Sequence, residues 1–195
     1  MKKIWLISCV LMATFLISCE EDDIWIPKPT GYLRKNFPEK KPIVYHDTNC
    51  PFTFELVDYA KIVNAKGGAG CHKDIFFEDF GFELNLGYAK IDSTANLFHL
   101  TEYVQKKIAE HTQIARGIQP TKYENDSLKT YGMLYRLDGD VALNGIFFLT
   151  DSTDHFVSGL MSFDVAPNYD SLQPSLDYLF EDIDNMLKSF RWLND

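Results

Sequence analysis

Apolar positions along the chain fall into three patterns. An almost unbroken run from Ile4 to Ile17 follows Lys2 and Lys3 and closes at Ser18-Cys19. Strict alternation marks Phe52, Phe54 and Leu56, and again Phe82, Leu84, Leu86 and Tyr88. Side chains two positions apart share one face of a strand, so this alternation predicts half-buried strands near 52–57 and over 80–89, with a shorter one at 74–78. Helical spacing marks two other segments. Leu97, Leu100, Val104, Ile108 and Ala115 step by threes and fours with polar residues between them, which predicts an amphipathic helix over about 97–115. Leu172, Leu176, Leu179, Ile183, Met186 and Phe190 form a narrower seam and predict a helix over 171–190. Asp170 or Ser171 would cap it, with Pro174 tolerated in the first turn.

Between the helices, 130–137, 141–150 and 155–164 read as three strands. Asp138-Gly139-Asp140 and Asp151-Ser152-Thr153-Asp154 join them with the residues of tight hairpins. Val141, Leu143, Phe147 and Leu149 should share one face of the middle strand. The order β-β-β-α-β-β-β-α predicts an α+β fold, a mostly antiparallel sheet covered by two amphipathic helices. Residues 20–45 carry prolines at 27, 29, 38 and 42 and no period, which argues for extended chain without regular ladders. Three parts follow: a signal over 1–18, a tether and extended lead-in over 19–48, and a single α+β domain over 49–195.

The first run is too short to span a bilayer. About 14 apolar residues fall below the roughly 20 that a membrane-crossing helix needs. A positive start, an apolar stretch and small residues before a cysteine form the pattern of a cleaved lipoprotein signal. Cleavage would leave Cys19 first, its sulfur carrying a diacylglyceryl group as a thioether; each buried methylene of the lipid then contributes about 0.8 kcal/mol of membrane affinity. The expected anchor is therefore the lipid on Cys19.

Charge narrows the partners. The full chain carries a net −9, and loss of Lys2 and Lys3 takes it to −11. An acidic chain without a basic run is a poor ligand for nucleic acid. Export changes the reading of the cysteines as well. With Cys9 removed and Cys19 acylated, Cys50 and Cys71 are left, as a disulfide or as a pair of buried thiols. No Cys/His spacing predicts a metal site, and no cofactor is expected.

Three motifs invite chemical readings. Asp151-Ser152-Thr153-Asp154-His155 holds the residue types of a hydrolase triad, but neighbours on one turn cannot align acid, base and nucleophile. A turn whose side chains satisfy its own backbone is the expected arrangement, with an envelope hydrolase or small-ligand binder as the alternative. Lys66-Gly67-Gly68-Ala69-Gly70 lacks the Lys-Ser/Thr ending and the following helix of a phosphate loop, and predicts a hairpin loop. Glu181, Asp182 and Asp184 should form the solvated side of the last helix. No catalytic residue is predicted.

Several separated stretches carry a resemblance. They are Pro27-Lys28-Pro29 with Gly31-Tyr32-Leu33-Arg34, Cys50-Pro51-Phe52, Tyr131-Gly132-Met133-Leu134-Tyr135, Phe148 through Gly159, and Pro167-Asn168-Tyr169-Asp170-Ser171. In this order they resemble the gliding-motility lipoprotein GldD family of Bacteroidetes. The resemblance implies an envelope lipoprotein required for gliding, linked to type IX secretion and without assigned enzymatic activity. It also implies Cys19 as the acylated residue, Cys50 and Cys71 as the bridge, and other gliding or secretion lipoproteins as partners. Its expected place is a periplasm-facing or outer-membrane leaflet. The β-rich order ending in a long helix is also similar, at the level of fold, to the PsbP/Mog1-like sandwich.

Overall fold

A computed structural model describes residues 36–66 and 70–193. Cys19 and the signal segment lie outside the described residues, as do Trp25 and residues 67–69 of the glycine-rich loop. The elements in chain order are β1 (Pro42–His46), β2 (Phe52–Val57), β3 (Lys61–Asn64), β4 (Lys73–Phe77), β5 (Phe82–Lys90), α1 (Leu97–His111), β6 (Gly117–Asn125), β7 (Thr130–Asp138), β8 (Gly145–Thr150), β9 (His155–Phe163), α2 (Tyr169–Ser189) and β10 (Arg191–Trp192). They build two antiparallel sheets, a seven-stranded one ordered β3-β4-β5-β9-β8-β7-β6 and a three-stranded one ordered β1-β2-β10. The protein is thus α+β, with antiparallel sheets and two helices.

The helices serve opposite faces of the large sheet. On one face Leu176, Leu179, Ile183 and Met186 of α2 join Phe52, Phe54 and Leu56 of β2 over the inward side chains of β4, β5, β8 and β9. On the other, Val104 and Ile108 of α1 pack on Leu137, Ile146 and Phe156. β8 lies between the two cores: Phe147 and Leu149 enter the first and Ile146 the second, all fully buried. A strand covered on both faces reads as a continuous apolar run, as Ile146-Phe147-Phe148-Leu149 does. Each fully buried large side chain contributes about 1.5–3 kcal/mol relative to exposure, so the more populous α2-side core supplies most of the stabilisation.

Two glycines permit this packing. At Gly159 of β9 the Phe147 ring occupies the space a Cβ would take, and at Gly132 of β7 an added Cβ would overlap the backbone carbonyl of Phe148. The first neighbour is a side chain. The second is backbone and cannot step aside.

Several expectations are corrected. The lead-in supplies a strand: Pro42 opens β1, where its missing N–H is tolerated, and the following residues pair with β2. β3, β6 and β10 add three further strands the pattern did not predict. α1 ends at His111, although Ala115 still packs against the α1-side core. The β7–β8 joint is an irregular loop over 139–144, not a tight hairpin, with Leu137 N–H bonded to Asn144 O. That loop breaks the alternation, so Val141 and Leu143 join Ile146 on the α1 face and do not share a face with Phe147. α2 starts at Tyr169, with the Asn168 side chain accepting from the Ser171 N–H as cap. Pro174 therefore lies beyond the first turn.

Candidate functional site

The turn 151–155 is built as an Asx-type turn. One oxygen of Asp151, Oδ1, accepts from the backbone N–H groups of Thr153, Asp154 and His155 at 2.8–3.0 Å. Burial pushes this carboxyl up, but the three amides outweigh it and hold Asp151 below the usual carboxylate range. Thr150 Oγ1 accepts from Ser152 N–H at 2.9 Å and donates to His155 O at 2.7 Å. Ser152 adopts a left-handed φ of 70° and is exposed. His155 turns away from it. Its Nδ1 is hydrogen-bonded to the Tyr88 hydroxyl at 2.9 Å, and its ring stacks on Trp192 at 5.2 Å. The hydrolase arrangement, with His155 as base to Ser152 and Asp151 orienting it, is not assembled, because Asp151 bonds backbone and His155 bonds a phenol.

What the turn does form is one wall of a pair of clefts at this end of the sandwich. Register places Lys90 opposite His155 at the β5–β9 end, and β10 brings Arg191 and Trp192 alongside through its pairing with β2. The larger cleft, about 850 Å³, runs past His46, Tyr88 and the Cys50–Cys71 pair. The smaller, about 560 Å³, is lined by Ser127, Lys129, Asp151, Asp154, Arg191 and Trp192 among others. Lys90, His155 and Leu193 border both. The indole N–H of Trp192 is buried with no acceptor among the described residues.

The structure joins Cys50 to Cys71 in a disulfide with Cα atoms 5.4 Å apart, tying the start of β2 to the β3–β4 connection. Lys73 follows it. Only 3% exposed, its ammonium lies 2.6 Å from Asp47 Oδ2 and 2.6 Å from Asn64 Oδ1. Burial opposes the Lys73 charge, but its bonds to Asp47 and Tyr45 outweigh that and move its pKa upward. The Lys73 ammonium and the Asn49 N–H hold the Asp47 carboxyl down to about 2.

The acidic group on α2 also departs from expectation. Glu181 is solvated, but Asp182 is 2% exposed, accepts from the Tyr59 hydroxyl and forms an ion pair with Lys40 at 3.0 Å. Burial and the neighbouring carboxylate both push the Tyr59 phenol up. Asp184 accepts from Tyr123 at 2.7 Å and from Lys188 at 2.6 Å. Partners on β1's approach and on β6 recruit these carboxylates, and no pattern within the helix itself signals that. Lys40 belongs to a clamp in which Phe37 stacks on Tyr178 at 4.4 Å and the Tyr178 hydroxyl donates to Pro38 O. Among the described residues, no three His, Cys, Asp or Glu side chains gather to hold a metal, and no helix is long and apolar enough to cross a membrane.

Fold and site together define an α+β protein with a polar, disulfide-tied end and no assembled triad. The model of the gliding motility lipoprotein GldD family matches residues 22–192, and the chain belongs to that family. No curated protein matches the sequence. Among solved structures, the chain is similar to the solution structure of cyanobacterial PsbP (CyanoP) from Synechocystis sp. PCC 6803. That match has 16% identity and a TM-score of 0.49, covering 82% of this chain and 97% of that one.

Proposed function

We propose that this chain is a lipid-anchored, non-enzymatic accessory factor of gliding motility that assembles or stabilises envelope components associated with type IX secretion. The observation that carries the reading is the family match, which spans nearly all of the chain beyond Cys19. The turn geometry supports it by engaging Asp151 and His155 in structural bonds. Cys19 is the acylated residue in this reading, with residues 1–18 removed as the signal and the packed domain held near its partners by the tether. Anchoring concentrates a docking domain at one membrane, which raises its effective concentration without any new contact.

Crosslinking and affinity purification from detergent-solubilised envelopes test the partner claim. Other gliding or secretion lipoproteins should be recovered, and recovery of none would overturn it. A Cys19→Ala strain tests the anchor. The protein should leave the membrane fraction and spreading should be impaired, whereas full gliding would refute the role given to the lipid.

A further inference from the structure

The smaller cleft collects charge against the trend of the chain. Among the described residues, Lys66, Lys90, Lys106, Lys129 and Arg191 have no carboxylate within 4 Å, while every other Lys and Arg is ion-paired. Three of these five, Lys90, Lys129 and Arg191, line this one cleft. They come from three separate places: the end of β5, the β6–β7 turn and β10. Convergence of unpaired cations from distant segments in a protein of net −9 is not what an evenly solvated surface produces.

The cleft's construction favours an anion. Arg191 Nη1 donates to the carbonyls of Lys188 and Phe190 at 3.0 and 2.7 Å, which fixes the guanidinium while its remaining donors have no partner among the described residues. Lys129 sits at a left-handed φ of 49°, and Ser152 at the facing turn does the same; these are the positive-φ non-glycine residues of the described chain. Of the two carboxylates that line the cleft among the described residues, Asp151 is spent on backbone amides, leaving Asp154 as the opposing charge. Trp192 lines the same cleft and stacks on His155.

We propose that this cleft binds a phosphate group, carried on a phospholipid headgroup or free in solution. A phosphate presents oxygens in several directions and can meet cations contributed by three segments, whereas a planar carboxylate matches a single guanidinium fork. The polar lining excludes a mainly apolar ligand. The proposal does not rest on the role in gliding.

The test uses the full protein purified in a neutral, phosphate-free detergent, followed by the Trp192 indole resonance at constant ionic strength. Inorganic phosphate should shift it saturably in the millimolar range. Lys129→Asn combined with Arg191→Gln should weaken binding at least tenfold, Asn keeping the left-handed backbone; Lys106→Gln, on α1, should leave it unchanged. Asp154→Asn should tighten binding, and it tests the site should the double variant fail to fold. Short-chain phosphatidylglycerol separates the sources, with phosphatidylcholine as control. Saturation at a tenfold lower concentration than phosphate assigns a headgroup, and equal affinity assigns the phosphate group alone. Absence of saturation with either probe, or equal affinity in the double variant, overturns the proposal.

Discussion

Replacing Lys73 by Met should flatten the acid limb of the stability profile. In the native protein Asp47 is held at about 2 against an ordinary 3.8, first by the Lys73 ammonium and then by the Asn49 N–H. A carboxyl that binds its proton more weakly when folded contributes stability in full above its unfolded pKa, and that contribution is lost as pH falls through the folded one. The window is therefore about pH 4 down to about 2. A shift of this size corresponds to at most about 2.5 kcal/mol. The Asp47 side chain is 23% exposed, and part of the depression belongs to Asn49, so about 1 kcal/mol is expected from Lys73. Absolute stability is a poor readout, since replacing a buried cation by an apolar chain of similar length can itself stabilise. The informative quantity is the difference between native and variant unfolding free energies, measured by urea titration with circular dichroism from pH 7 to pH 2. That difference should change by about 1 kcal/mol across the window, because other carboxylates cancel. Parallel profiles would show that Lys73 does not hold Asp47 down.

Four further outcomes follow from the packing. Gly132→Ala, which meets the Phe148 carbonyl, should abolish folding or lower the melting temperature severely, whereas Gly81→Ala, left-handed but in open space, should cost about 1 kcal/mol; thermal melts of both compare a backbone clash with conformational strain alone. Removing the Cys50–Cys71 bridge by Cys→Ser at both positions should lower the unfolding free energy by about 3 kcal/mol for a sequence separation of 21, and an unchanged urea midpoint would refute it. Lys40→Met leaves Asp182 buried beside Tyr59 and should cost about 2 kcal/mol or more, with Lys40→Met/Asp182→Asn recovering part of it in a double-mutant cycle. Ser152→Ala should leave gliding intact, and Ser152→Gly should add up to about 1 kcal/mol of stability by relieving the left-handed backbone; loss of gliding in the first would revive a chemical role for the hydroxyl.

Which strands could be read from sequence follows from where they lie. The interior strands β4, β5, β7, β8 and β9, and β2 at the centre of the small sheet, carry the alternating or continuous apolar runs that burial demands. The strands that were not anticipated, β1, β3, β6 and β10, are the edges of the two sheets. Edge strands need little apolar surface and are kept from pairing with other chains by proline, lysine and short length. Pro42 in β1, Lys61 in β3, Pro120 and Lys122 in β6, and the two residues of β10 fit that role. The site was less legible for a related reason. Lys90, Lys129 and Arg191 are far apart in sequence, and only sheet register and the β10 return bring them to one cleft. Asp182 looked solvated because its partners, Lys40 and Tyr59, come from segments with no apolar period to mark them.

The clamp around Phe37 sets a load path. A pull transmitted along the chain ahead of Asn36 first meets Phe37 stacked on Tyr178, then Pro38 held by the Tyr178 hydroxyl and Lys40 held by Glu181 and Asp182. Each of these holds engages α2, and Phe37 also stacks on Phe80 at 6.0 Å. Tension therefore reaches the longest helix, and the main core beneath it, before it reaches the pairing of β1 with β2. Unzipping an edge strand proceeds one ladder bond at a time, whereas dislodging this clamp requires several contacts to fail together. Under the proposed N-terminal anchoring, that difference governs how long the domain stays folded under drag, a property set by the unfolding rate and not by equilibrium stability.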